Sequence, residues 1–408
     1  MVRPENLRHK LLALPVLAAA TAAAAPPAIT LSQPVAPAAT TTVAADEPAL
    51  PAAITESHID VVFVLDTTGS MSGLIEGAKQ KIWSIANAIA TAQPRPTIRL
   101  GLVAYRDRGD DYVTKLTSLT DDLDAVYAEL MALSAAGGGD TPESVNQGLH
   151  EAVTRFDWSQ EPRALRLVYL VGDCPPHMDY EDDVKYEATC ELAARRGIIV
   201  NTIQCGTHAQ TTPVWQQIAR SSEGEFFQIE QSGGVVAVAT PFDADLARLT
   251  IDLEATVIPY GDVAAVTEQA RRQERAQDLA LAAPATALAE RAMYKASDAG
   301  VTSLCGTQEL VQDCLDKKVD LAKLPAEQLP EAMRSLDSKG REAYVQVKAD
   351  ERSRLREEIQ ALNLKRQKHI TEQLAATTGP ADSFDSAVIQ ALQRQAARCG
   401  IAYNTDSK

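Results

Sequence analysis

The chain has 408 residues, 45% of them hydrophobic and 23% charged, with a formal net charge of −16. That length exceeds the roughly 100–200 residues of an ordinary domain, so two folded units are expected. The acidity argues against nucleic acid and against an anionic membrane surface as partners, because both repel a surface of their own sign.

The first residues carry Arg3, Arg8 and Lys10, then an apolar Leu/Ala run from Leu11, then small residues from Ala18 to Ala25. Basic, apolar and small segments in that order read as a secretory signal, so residues 1–25 are expected to be removed and the mature chain to be periplasmic or secreted. The apolar run contains Pro15 and falls short of the about 20 residues that span a bilayer. No Cys follows it and no later segment is apolar enough to span, so no integral membrane segment is expected after signal removal. Without the signal the net charge becomes about −18. Residues 26–57 are rich in Pro, Ala and Thr with almost no charge, which suits an extended linker.

From Ile59 onward short apolar runs alternate with helix-period segments, the pattern of a largely parallel sheet with helices on both faces. Strands are expected at 59–65, 98–105, 112–116, 165–171, 198–204 and 225–229. Several are nearly unbroken Val/Ile/Leu runs, as strands buried on both faces should be. Helices are expected after Met71, Thr120, Thr141 and Thr212, with Pro142 and Pro213 in first-turn positions behind a capping Thr. The second and third strands are joined by RDRGDD, too short for a crossover helix, so that pair must be antiparallel. The segment DADLARLTIDLEAT supplies a last helix, and the first domain, 58–260, is therefore expected to be a Rossmann-like α/β unit with a mainly parallel six-stranded sheet and one antiparallel strand.

Residues 261–408 read as an α-helical C-terminal region. Its longest pattern runs from Arg341 to Leu374, where Leu355, Ile359, Leu362, Ile370 and Leu374 largely keep three/four spacing. Packing within the helical region is favoured over an intermolecular coiled coil. The six cysteines suit an oxidising compartment. Cys174, Cys190 and Cys205 fall in the first domain and Cys305, Cys314 and Cys399 in the second, so either one interdomain bridge or a free thiol in each half is expected. Cys305 and Cys314, closest in sequence, are the expected bridge, and Cys174 and Cys205 follow neighbouring strands that bring them toward each other.

Three segments put oxygen ligands at strand ends. They are Asp66-Thr67-Thr68-Gly69-Ser70, the loop Gly137-Gly138-Gly139-Asp140-Thr141-Pro142-Glu143, and Val171-Gly172-Asp173. In a parallel sheet all arrive at one edge, where strand order reverses and ligands bind. Each alone is an ordinary turn or cap; together, in this order, they make a site. Two carboxylates and three hydroxyls without His or Cys suit a hard divalent cation such as Mg2+, with Mn2+ or Ca2+ as alternatives.

The D-x-[ST]-x-S turn, the distant Thr and the distant Asp resemble the metal-ion-dependent adhesion site of von Willebrand factor type A domains, over roughly residues 58–258. The resemblance implies that Thr68, Ser70 and Thr141 contact a metal, and that Asp66 and Asp173 hold it directly or through water. A partner's carboxylate would fill the remaining position. Thr68 stands where many members have Ser, which keeps the hydroxyl. The combination DTTGSMSG, YRDRGD, GGGDTPESV and VGDCPPHMDY is similar to a bacterial exported subgroup. What this implies is a metal-dependent adhesion or assembly module that binds a protein presenting an acidic residue, and not an enzyme.

The enzyme alternative is a haloacid-dehalogenase-like, Mg2+-dependent phosphohydrolase with Asp66 as nucleophile, since the same turn resembles that superfamily's. Against it, His177 stands where a second acid usually lies, and no Lys is well placed. Arg108-Gly109-Asp110 matches an integrin-binding tripeptide, but a polar Gly turn between strands accounts for it. His177 lies beside the metal edge, where it either touches a ligand or is a solvated loop residue.

Overall fold

The computed structural model describes residues 57–139, 141–230, 238–376 and 383–403. The signal, the linker up to residue 56 and Asp140 lie outside the described residues. The strands are β1 (Ser57–Asp66), β2 (Ala92–Gln93), β3 (Pro96–Tyr105), β4 (Thr114–Thr120), β5 (Leu165–Gly172), β6 (Ile198–Cys205), β7 (Phe226–Ile229) and β8 (Ala402–Tyr403). The main sheet has the order β4-β3-β1-β5-β6-β7, with every neighbouring pair parallel except β3 and β4. This is the expected mixed six-stranded sheet. The chain leaves β1 for β3 on one side and returns to β5 on the other, so strand order reverses at the C-terminal end of β1.

Helices α1 (Ser72–Ala90), α2 (Leu123–Ala132), α3 (Val145–Thr154), α4 (Tyr186–Arg195) and α5 (Thr211–Ser221) cover the sheet. Side chains alternate across β1 with the strand period of two. Ile59, Val61 and Leu65 join Trp83 of α1 and Tyr127 of α2 in one core, while Val62 and Val64 join Leu149 of α3 and Trp215 of α5 in another. Both faces are dry, which is why β1 reads as a continuous apolar run.

Some boundaries differ from expectation. Strand β4 starts at Thr114, not 112, because Tyr112 is occupied in the turn: its hydroxyl is 2.7 Å from Thr67 Oγ1 and its ring lies 4.4 Å from the Arg106 guanidinium. Pro142 is not in the first turn of α3, which begins at Val145. Residues before it run extended against the loop after β5, with Glu143 N–H donating to Pro175 O. Helix α5 starts one residue before Thr212, whose hydroxyl donates to Gln204 Oε1 at 2.8 Å instead of capping.

The remaining helices are α6 (Asp243–Glu254), α7 (Val263–Ala282), α8 (Ala285–Ala296), α9 (Val301–Cys305), α10 (Leu310–Leu315), α11 (Glu331–Arg334), α12 (Ser338–Ala376) and α13 (Ser383–Arg398). They pack on the sheet unit: α8 against α1, α7 against α2, and α13 along the sheet. Buried Asn201 of β6 and Gln395 of α13 exchange two amide hydrogen bonds of 3.1 and 2.7 Å, and β8 pairs with β2. In α12, Leu355 and Ile359 enter a core shared with α6 and α8, so the apolar stripe is spent on intramolecular packing. The side chain of Leu374 lies outside the described residues.

All six cysteines are free, so the expected Cys305–Cys314 bridge is not formed. The two belong to different packing clusters: Cys305 is buried near α6 and α12, and Cys314 packs with Leu310 and Met333. Cys174 and Cys205 are likewise separate, since Cys205 is buried in the α1/α2 core and Cys174 faces Thr141 at the sheet edge. Among the described residues no helix is long and apolar enough to cross a membrane.

Candidate metal centre

The end of β1 turns on Asp66. Its Oδ1 accepts from Thr68 N–H at 2.9 Å and from Thr68 Oγ1 at 2.7 Å, an Asx turn that aims the next residues outward. Thr68 Oγ1 is 3.4 Å from Ser70 Oγ, so the two hydroxyls sit side by side above the carboxylate. Thr67 ties this turn to β3 through Tyr105 O.

The glycine loop closes over it. Gly69 N–H donates to Gly137 O at 3.1 Å and Ala136 N–H donates to Thr67 O at 3.1 Å. Gly137 and Gly138 have φ of 76° and 71°, a left-handed pair that side chains disfavour. A Cβ on Gly138 would lie 2.8 Å from Thr68 Cβ and 2.9 Å from Glu143 Oε1. Thr141, further along, is exposed, and its hydroxyl is 3.8 Å from Cys174 Sγ. That contact brings the third predicted hydroxyl to the end of β5, next to Asp173, whose carbonyl accepts from Thr211 Oγ1 at 2.8 Å. All five predicted residues, Asp66, Thr68, Ser70, Thr141 and Asp173, therefore come to one edge.

Gly172 makes the close approach between β1 and β5 possible: an added Cβ would meet Tyr105 Oη at 2.5 Å and Asp66 Oδ2 at 3.1 Å. Gly172→Ala is expected to destabilise the protein by about 1–3 kcal/mol, because it overpacks a fully buried junction. Urea unfolding measures it, and an unchanged midpoint would contradict the packing described.

Electrostatically the edge gathers acids whose ionisation burial disfavours. Burial, with a further contribution from Asp173, pushes the Asp66 carboxyl up to about 7 against the bonds from Thr68 and Tyr105 that lower it. Burial also raises Glu143 to about 9, helped by Asp66, Asp107, Asp110 and Asp173. Tyr105, fully buried between these acids, has its phenol pushed well up, again first by burial. Glu143 Oε2 is buried without a hydrogen-bond donor, and Asp66 Oδ2 has only the Tyr105 phenol beside it. Buried carboxylate oxygens left unsatisfied are costly, and a cation relieves that cost. Among the described residues no three His, Cys, Asp or Glu side chains close around one point, so a metal here would draw on the hydroxyls and on water. That fits a hard cation such as Mg2+.

Glu143 escaped selection from the sequence, where it reads as one more acid in a Gly-rich loop; only the parallel bridge of its backbone to Pro176 turns it inward. His177 is buried, not solvated. Its Nδ1 is 2.8 Å from Asp179 Oδ1, its ring stacks on Tyr180 at 4.0 Å, and its backbone N–H donates to Glu143 O. It braces the loop. The Arg108-Gly109-Asp110 turn is also engaged internally: Arg108 pairs with Asp182 and Asp183 at 2.9 and 2.8 Å and lies over the Tyr180 ring.

Residues 60–239 match the family model of the von Willebrand factor A domain, a stretch of somewhat under half the chain that points to a protein-interaction module. A protein described as an ariadne-like RING finger protein, from Acanthamoeba polyphaga mimivirus, is 24% identical over 212 residues, covering 48% of this chain and 21% of that one. The alpha-protein kinase vwkA of Dictyostelium discoideum is 27% identical over 121 residues, covering 29% of this chain and 19% of the kinase. The chain thus spans about a fifth of the length of the curated relatives it matches. Among solved structures, BatB from Bacteroides thetaiotaomicron aligns with a TM-score of 0.33 at 13% identity, over 42% of this chain and 90% of that one.

Proposed function

We propose that the protein is an exported binding module that grips an acidic residue of a protein partner through a divalent cation, Mg2+ or in its place Mn2+ or Ca2+, at the C-terminal end of β1. The observation that carries this reading is the Asp66 turn. A buried carboxylate presents one oxygen to two donors of Thr68 and leaves the other with no donor but the neighbouring Tyr105 phenol, beside the Ser70 hydroxyl and the end of β5. Asp66 and Asp173 would hold the cation directly or through water, with Thr68, Ser70 and Thr141 supplying neutral oxygens. Because the other three ligands are neutral, the two carboxylates balance the cation's charge without exceeding it, and a ligand position left to water can take a partner's carboxylate. The rest is positioning: the Gly137–Gly138 turn lets the loop approach Thr68, and Gly172 brings β5 against Asp66.

A phosphohydrolase reading is not favoured. Its nucleophile would be Asp66, which is fully buried with Oδ1 already engaged by Thr68. Export is supported by the order of basic, apolar and small residues up to Ala25. Calorimetric titration of Mg2+ and Mn2+ into chelator-treated protein tests the cation site. Wild type should bind, and Asp66→Asn and Asp173→Asn should each bind at least about tenfold more weakly while remaining folded. Equal binding in all three would remove the cation from the account.

A further inference from the structure

Building on the reading of this edge as a cation site, we propose that Glu143 is an additional acidic element of it, acting through bound water, and that it trades affinity for a partner's carboxylate in favour of affinity for the cation. Glu143 is 2% exposed, and its Oε2 has no hydrogen-bond donor. The backbone fixes it there: its N–H donates to Pro175 O at 3.0 Å and its carbonyl accepts from His177 N–H at 3.0 Å. Its Oε1 lies where a Cβ on Gly138 would touch it, with Thr68 on the other side of the same gap. The carboxylate and the Thr68 side chain thus face each other across the space that glycine leaves open.

Among the described residues no basic side chain compensates it. Arg106, the buried cation of this edge, spends its nitrogens on Thr67 O, Ser134 O and Asp111. The largest charge effects on Glu143 come from Asp66, Asp107, Asp110 and Asp173, all acids. A buried acid among acids is strongly disfavoured unless a cation comes near. Asp66 and Asp173 already supply the two carboxylates at the strand ends, so the role assigned to Glu143 is outside the ligand sphere. Mg2+ keeps several of its waters, and a carboxylate that accepts from them tunes the ion from outside its ligand sphere.

Charge then sets the trade. With Asp66 and Asp173 ionised, a divalent cation leaves the centre neutral; Glu143, ionised beside the bound cation, makes it negative, which tightens the hold on the cation and weakens the pull on an incoming carboxylate. Glu143→Gln keeps shape and removes the charge. In calorimetry at neutral pH, Mn2+ should bind this variant roughly tenfold more weakly than wild type. Acetate titrated into the Mn2+-saturated protein should bind the variant more tightly than wild type. A purely structural role would weaken both. Glu143→Asp, which keeps the charge, should retain cation affinity to within about threefold. Unchanged Mn2+ affinity in Glu143→Gln, weakened acetate binding, or an equal loss in the Asp variant would each overturn the proposal. Asp66→Asn run beside them separates the two levels: if it binds Mn2+ like wild type, the cation reading itself fails, whereas its loss with Glu143→Gln unchanged removes Glu143 alone.

Discussion

Arg291→Met is expected to lower stability by about 3–5 kcal/mol, the cost of stranding buried carboxylates. Arg291 in α8 is 1% exposed, and its Nε and Nη2 each lie 2.6 Å from the two oxygens of Asp124 in α2, while Nη2 also reaches Glu254 of α6. Lys295 adds a second cation 2.8 Å from Asp124. Burial by itself would raise the Asp124 carboxyl, but Arg291 and Lys295 outweigh it and hold it well below the usual range. This cluster joins the C-terminal helices to the sheet unit at one dry point. For a chain of this size the loss corresponds to roughly 4–7 °C in melting temperature. Arg394→Met is the control: its pair with Glu225 is solvent-exposed, and such pairs contribute about 0–1 kcal/mol. Calorimetric scans of both variants decide it. Equal, small shifts would mean that the α2–α8 contact does not depend on its charges.

The second large effect is a pH dependence that a cation should erase. In chelator, Asp66 titrates near 7 in the folded protein against 3.8 for the ordinary carboxyl. The folded state then holds a proton that the unfolded state releases. Its contribution to stability is complete below pH 4, is lost as pH climbs toward 7, and amounts to about 4 kcal/mol. Glu143, held up to about 9, extends the same trend to higher pH. The Asp124 cluster has the opposite sign, but its window lies below the ordinary carboxyl range and leaves pH 5–8 clear. Chelated protein should therefore unfold at lower urea at pH 8 than at pH 5, and Asp66→Asn should flatten much of the slope. Mg2+ at a hundred times its dissociation constant should restore about 2.7 kcal/mol at pH 8, where the ligands are most readily ionised. A chelated protein equally stable at both pH values would show that the acids at this edge are not held protonated.

The parallel sheet was legible because strands buried on both faces must be continuous apolar runs, and β1, β5 and β6 are such runs. The antiparallel β3–β4 pair followed from a connection too short to cross over. The five candidate ligands followed from strand ends that a parallel sheet must bring to one edge. The placement of Glu143 and His177 was not legible, because each depends on the loop 173–177 lying against 143, a contact between segments far apart in the chain. The same holds for the cysteines: nearness in sequence suggested Cys305–Cys314, but packing sends them into different cores.

Local periodicity, strand continuity and connection length are properties of the chain itself, and they determined the α/β architecture, the helical C-terminal region and the sheet edge to which the candidate ligands come. What only the tertiary structure decided is which polar groups end up buried without water. Glu143, Asp124 and Arg291 look like ordinary surface charges in a linear reading, and Asp66 like an ordinary ionised carboxylate. Their energetics come from desolvation and from partners supplied by other segments, which arise only when the chain is folded.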